Sequence, residues 1–267
     1  MRNIKLTIEY EGTGYCGWQV QKLHNLTTSQ SRRLKSIQET IEEALKKILR
    51  QKVSLIASGR TDAGVHALGQ VANFKTNSKI SLKKLMRSSN GLLPTGIKVL
   101  KTEEAGQGFH SRFDAKSKTY RYLIVKSKVA PALLRKLVYF FPYPLNIKTM
   151  NREARCLVGR HDFKAFCASG SSVKGTVRRV KKISIRPIDS HFFAGQRDDK
   201  GASLIAVEIE ADGFLYNMVR NIVGTLIEIG RGRFPSGSIT QILSAKNRRH
   251  AGPTAPAQGL YLIKSVY

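Results

Sequence analysis

Acidic residues are scarce in this chain: 18 Asp and Glu stand against 46 Lys and Arg in 267 residues, a formal net charge of +28. Cysteine is nearly absent. Cys16, Cys156 and Cys167 are an odd number with no CxxC pair, which excludes a disulfide framework and a zinc-binding set. The six histidines (24, 66, 110, 161, 191 and 250) form no HxxxH or similar grouping, so no metal is implied. No long apolar run exists either. The best stretch, 137–145, is broken by Pro142 and Pro144, far short of the roughly 20 residues a membrane span needs. Met1-Arg2-Asn3-Ile4-Lys5 has no apolar signal core behind its charges. The expectation is a soluble, cytoplasmic protein that does not enter the membrane. A hydrophobic content of 41% excludes wholesale disorder, and the length suggests about two domains.

The positive charge is spread, with 18 basic against 8 acidic residues over 1–110 and 28 against 10 over 111–267. An anionic membrane surface usually selects a compact polybasic block or a basic amphipathic helix. Charge distributed over both halves suits an extended phosphate backbone, which makes a nucleic acid the expected partner. Charge alone does not separate RNA from DNA.

Ile4 to Tyr10 alternate apolar and polar residues and predict a half-buried strand. Gly12, Gly14 and Gly17 end it in a loop bearing Tyr15 and Trp18, and 22–35 reads as an exposed basic loop. Ser36 and Glu39 form a capping box ahead of Ile37, Ile41, Leu45 and Ile48, an amphipathic helix to about residue 50. Strands at 52–57 and 70–75, a helix at 81–90 and a strand at 97–103 complete a β-α-β-β-α-β order, the ferredoxin-like split arrangement. The second half predicts strands at 119–125, 177–187, 203–211 and 259–266. Its helices fall at 147–158, 214–229 and 235–245. The second half repeats the theme loosely, and the expected architecture is two α+β domains, 1–110 and 111–267, fused through their sheets.

The densest chemistry is Gly59-Arg60-Thr61-Asp62-Ala63-Gly64-Val65-His66, placed between two strands. Loops on a rigid sheet are where catalytic groups concentrate, but a tight turn with Asp62 bonding its own backbone explains the same residues. His66 is a candidate base by type, although a lone histidine is more often structural. Asp212 together with Asp62 would suggest a two-carboxylate metal site, yet no DxD or ExK cluster accompanies them. Arg220 is the only charge between Asp212 and Glu228, on an otherwise apolar helix. A buried guanidinium requires a partner. Asn217 and Gly224 share its face and leave room for an anion, and Asp62 is the expected partner. The bland alternative is an internal ion pair. Tyr120 lies among Lys116, Lys118 and Arg121, an aromatic interleaved with cations as base stacking beside phosphates requires. Tyr122, Trp18, Phe74 and Phe109 read more readily as core. The basic runs at 174–182 and 246–249 are solvated charge, usable for phosphate.

With these motifs assembled, the chain resembles the TruA family of tRNA pseudouridine synthases. The resemblance rests on the 59–66 signature followed by Gly69-Gln70, Gly17-Trp18-Gln19, and Phe109-His110-Ser111-Arg112-Phe113. It continues through Met218-Val219-Arg220-Asn221-Ile222-Val223-Gly224 and ends at Gly259-Leu260-Tyr261-Leu262. It implies isomerisation of uridine to pseudouridine at positions 38–40 of the tRNA anticodon arm, without cofactor or metal, by a homodimer. It also implies the fold: α+β, two ferredoxin-like, RRM-like domains joined through a continuous mixed, mainly antiparallel sheet with a central RNA-binding cleft. By position in these motifs, Asp62 corresponds to the catalytic aspartate and Arg60 to the basic residue that takes the flipped nucleotide's place. Arg220 corresponds to the arginine paired with the aspartate, Tyr120 to the tyrosine packed on the target base, and Leu262 to a pocket-lining residue. Two features depart from the family: the long basic 22–35 segment, and Ser111 and Asp114 beside the Arg-Phe pair. An RNA chaperone explains the charge but gives no reason for Asp62 or Arg220. A metal-dependent nuclease would cut RNA and stop with chelator.

Overall fold

The computed structural model describes residues 1–19, 34–168, 170, 175–188 and 203–267. The basic 22–35 segment therefore lies outside the described residues except for Leu34 and Lys35, as does Lys174 of the 174–182 run. In chain order the elements are β1 (Arg2–Tyr10), α1 (Ile37–Leu49), β2 (Ile56–Ala57), β3 (His66–Thr76), α2 (Leu82–Leu92) and β4 (Ile97–Ala105). There follow β5 (Ser117–Lys126), β6 (Tyr139–Phe141), α3 (Ile147–Arg155), β7 (Gly159–Asp162), β8 (Val177–Ile188), β9 (Ser203–Ala211), α4 (Met218–Gly230), α5 (Ser238–Ala245) and β10 (Leu260–Val266). The class is mixed α+β, as the sequence predicts.

The chain divides into two compact units, Met1–Lys116 with Leu262–Tyr267, and Ser117–Tyr261. In the first, β1 lies between β4 and β3 and is antiparallel to both, with β2 beside β3. That strand order is the split β-α-β arrangement read from the element sequence. Period-two patterning makes the face: Ile4, Leu6, Ile8 and Tyr10 of β1 are all buried. Helix α1 buries an apolar stripe (Ile37, Ile41, Ala44, Leu45 and Leu49) and packs against α2, with Ser36 Oγ accepting the Glu39 N–H at 3.0 Å as the N-cap. The boundary differs from the expected 110/111, and residues 262–267 side with the first unit. The reason is that β10 returns beside β3, close enough that a Cβ on Gly69 would stand 2.4 Å from the Ile263 carbonyl oxygen. The Ser58 and Ser265 hydroxyls also meet at 2.8 Å.

In the second unit the strands run in the order β5-β9-β8-β7, antiparallel throughout, and β6 adds to β5 in parallel. Helix α4 is buried along almost its whole length, as an all-round apolar helix must be. It packs so closely on α3 that a Cβ at Gly230 would meet Met150 Sδ at 2.7 Å.

Three local differences have physical causes. The strand expected over 52–57 shortens to β2, because the Leu55 N–H is taken by the Glu42 carboxylate at 2.8 Å rather than by a neighbouring strand. Helix α4 starts at Met218 rather than 214, because Asn217 sits in the left-handed region at φ 57° and breaks the helical path. The short strands β6 and β7 have no sequence counterpart; β6 falls in the 137–145 stretch broken by Pro142 and Pro144.

Candidate active site

The Asp62 loop is held from both flanks within the first unit. At its start the Ser58 N–H donates to the Val71 carbonyl at 2.7 Å, and at its end the Val65 N–H donates to the Asp62 carbonyl at 3.1 Å. Gln70, buried in β3, accepts from Ser58 Oγ at 2.8 Å and donates to the Gly59 carbonyl at 2.8 Å. The Thr61 and Tyr10 hydroxyls are 2.7 Å apart in the interior. Burial raises the Tyr10 pKa well above its usual value, so that hydroxyl stays neutral. The N-terminal loop closes over the other flank. Trp18, itself buried, donates its N–H to the Thr61 carbonyl at 2.9 Å. A Cβ on Gly12 would fall 2.0 Å from the Val65 carbonyl oxygen, and one on Gly17 would fall 2.7 Å from the Thr61 carbonyl oxygen. Only glycine allows this approach, and Gly17 has φ 100° besides. The result is a rigid loop that leaves Asp62 half-buried and Arg60 exposed. In the sequence Gly12 and Gly17 read as strand breakers, Gly17 also within the Gly17-Trp18-Gln19 motif. Their spacing against a buried Trp is the signal that was there to use.

His66 is not placed as a base. It is almost wholly buried at the head of β3, and its Nδ1 accepts the Gly12 N–H at 3.1 Å, pinning the same loop. The Asp212 carboxylate is committed to the Arg179 N–H at 3.0 Å. Among the described residues no group of three or more His, Cys, Asp or Glu could hold a metal ion. Trp18 and Phe74 are core, and Phe109 is half-buried with its ring 5.0 Å from that of Tyr267. Leu262 is fully buried in β10.

The other candidates belong to the second unit. Tyr120 on β5 is buried and meets Phe214 edge to face, with ring centroids 4.9 Å apart. Tyr122 is core, its hydroxyl donating to the Pro256 carbonyl at 2.7 Å. Arg220 is half-buried on the first turn of α4, with Nε donating to the Ala255 carbonyl at 2.7 Å and one terminal nitrogen to Asn217 Oδ1 at 2.9 Å. The Ala255 N–H returns a bond to the Arg220 carbonyl at 3.1 Å. The space expected beside Gly224 for an anion is instead filled by this loop: a Cβ at Gly224 would sit 1.7 Å from the Pro253 carbonyl oxygen. Asn221, wholly buried, ties the same loop down. Its Oδ1 accepts from the Thr254 hydroxyl at 2.6 Å and from Arg248 at 3.0 Å. The run Gly252-Pro253-Thr254-Ala255-Pro256 has a loop composition that gives no hint of this role.

The first unit thus presents a half-buried carboxylate on a clamped, glycine-bracketed loop, in a strongly basic α+β chain. The model of the tRNA pseudouridine synthase family matches residues 6–114 and 154–267. The chain belongs to that family, the isomerases that convert uridine to pseudouridine in tRNA. It is 45% identical over 267 residues to tRNA pseudouridine synthase A of Thermoanaerobacter sp. (strain X514), covering all of both chains. It is 46% identical, again over all of both, to tRNA pseudouridine synthase A of Acetivibrio thermocellus. With tRNA pseudouridine synthase A 2 of Clostridium perfringens the identity is 41% over the same full coverage.

Proposed function

We propose that the protein isomerises uridine to pseudouridine at positions 38–40 of the tRNA anticodon stem-loop, with Asp62 as the catalytic carboxylate, and that it works in the cytoplasm as a homodimer without a cofactor. The observation that carries this reading is the Asp62 loop, fixed from two sides and presenting a single half-buried carboxylate. In the reaction the N1–C1′ bond breaks and a C5–C1′ bond forms, while C5 gives up a proton and N1, which carries none in uridine, takes one up. Nothing is oxidised or reduced. Asp62 serves at the sugar, either by attacking C1′ as retaining glycosidases do or by taking the C2′ proton on the way to a glycal. Arg220 supplies the cation that keeps such a carboxylate ionised.

Tyr120 provides a flat face on which the freed base turns in its own plane, and Leu262 lines the pocket. Arg60, exposed on the same loop as Asp62, occupies the place of the everted nucleotide. Eversion costs a few kcal/mol, which phosphate contacts across a chain of charge +28 offset.

The test is tritium release from tRNA labelled at uridine C5, in chelator, for the wild type and Asp62→Ala. Release by the wild type alone, with RNA binding kept by the variant, supports the assignment. No release by the wild type from tRNA with unmodified anticodon-arm uridines overturns it, and chain cleavage abolished by chelator would point to a nuclease.

A further inference from the structure

Phe113 is 75% exposed at the tip of a turn whose foot is anchored in the core of the first unit. Two residues before it, Ser111 is wholly buried, and its N–H and hydroxyl both donate to Asn73 Oδ1, at 2.9 and 2.8 Å. The Ser111 carbonyl accepts the Tyr267 hydroxyl at 2.8 Å, and Asn73 donates onward to the buried Asn3 at 2.9 Å. At the tip, the Phe113 and Asp114 N–H groups donate to the His110 carbonyl at 3.2 and 3.1 Å. The Asp114 carboxylate accepts the His110 N–H at 2.9 Å. These seven hydrogen bonds, within or beneath residues 110–114, fix this backbone. The aromatic is therefore held out by the structure rather than left out by a loose loop.

Its neighbours complete the pattern. The His110 ring stacks on that of Phe113 with centroids 4.2 Å apart and planes at 24°. The Arg112 guanidinium carbon lies 5.7 Å from the Phe113 ring centre. Single exposed apolar side chains are ordinary. An exposed ring backed by a second ring, flanked by a guanidinium and rigidly mounted is not. The ligand it fits is planar, with an aromatic face and an attached negative charge, which describes an unstacked nucleobase on its phosphate.

We propose that the turn over 110–113 is a stacking platform for one unpaired base of the RNA substrate, a base other than the target uridine, which the proposed function assigns to Tyr120. The platform rests on the reading of tRNA as substrate, and Ser111 and Asp114 are both spent on holding its turn.

The experiment measures binding of an anticodon stem-loop RNA and of versions carrying one abasic nucleotide at each unpaired position, by fluorescence anisotropy. Phe113→Ala is expected to weaken binding roughly five- to a hundredfold, the loss typical of one base–aromatic stack. At one abasic position the wild type should fall to the level of the variant, and the variant should lose nothing further. Unchanged binding by Phe113→Ala, or an equal loss at every abasic position, overturns the platform. Phe113→Trp gives an independent reading at an exposed site, because the only natural tryptophan, Trp18, is 2% exposed. Its emission should be quenched by the intact stem-loop beyond the change seen in the wild type, and no added quenching counts against the proposal. Isomerisation of the same RNA is followed in parallel. A wild type that neither binds nor isomerises it overturns the proposed function and the platform together, whereas isomerisation without a Phe113 effect overturns the platform alone.

Discussion

Gly17 and Thr61 are packed backbone to backbone: a Cβ on Gly17 would stand 2.7 Å from the Thr61 carbonyl oxygen, and that oxygen already accepts the Trp18 N–H at 2.9 Å. The N-terminal loop is thus a brace for the residue immediately before Asp62. Gly17→Ala has to displace that brace and also adopt φ 100° with a side chain. The expected result is a loss of about 1–3 kcal/mol in stability, read by denaturant unfolding, together with reduced tritium release. Full activity in the variant would show that Asp62 does not depend on this contact.

The Tyr10 and Thr61 hydroxyls form an internal pair at 2.7 Å. Removing either hydroxyl takes this bond from its buried partner, Tyr10 keeping only a 3.5 Å bond from Gln70 Nε2, at a cost of about 1–2 kcal/mol. Tyr10→Phe and Thr61→Val should each destabilise by that amount, and the double variant should cost clearly less than the two together. Simple additivity in the double-mutant cycle would contradict the pairing.

Among the described glycines of the second unit Gly224 has the tightest approach, with its virtual Cβ 1.7 Å from the Pro253 carbonyl oxygen. Neither side is a flexible side chain, so Gly224→Ala must part the loop over 252–256 from α4. Arg220 then loses its Ala255 acceptor. A destabilisation of about 3 kcal/mol is expected, at the upper end for overpacking. Isomerisation should fall even at temperatures where the variant remains folded by circular dichroism.

Alkaline pH should act through buried tyrosines. Burial pushes the Tyr267 hydroxyl from 10.0 up to about 12, and burial is also the leading cause of the raised values of Tyr10 and Tyr122. In the unfolded chain these groups lose their protons near the ordinary value, whereas the folded chain retains them to higher pH. The folded state therefore binds more protons above about pH 10, and stability falls as pH rises there. Below that point these residues contribute no slope. The melting temperature should be insensitive to them up to about pH 10 and then drop, with tyrosinate absorbance rising together with unfolding. Tyr267→Phe should make the drop shallower.

Local chemistry was the legible part of the sequence. The α1 boundary came from Ser36 and Glu39, the β1 face from strict alternation, and the strand order of the first unit from the succession of elements. Contacts that depend on backbone meeting backbone were not legible. Gly12, Gly17 and Gly224 read as loop breakers or open space because nothing in one sequence says which distant carbonyl will approach them. His66 looked like a candidate base because its residue type is visible, whereas its bond from Gly12 is not. The helix break at Asn217 was not legible because its apolar surroundings continue the helical period through a position the backbone cannot follow.

The return of residues 262–267 to the first unit has a consequence for biosynthesis. Ser58 meets Ser265 across 207 positions of chain, and residues 117–261 make up the intervening unit. On the ribosome, the sheet bearing the Asp62 loop must wait for its last strand until the entire intervening unit has been translated. Loop closures of that span slow folding. A nascent chain halted anywhere within residues 117–261 would therefore carry an unfinished sheet edge beside β3, a state open to chaperones and proteases. Arrest-peptide force profiling should register completion of the first unit only after residue 265 has left the exit tunnel.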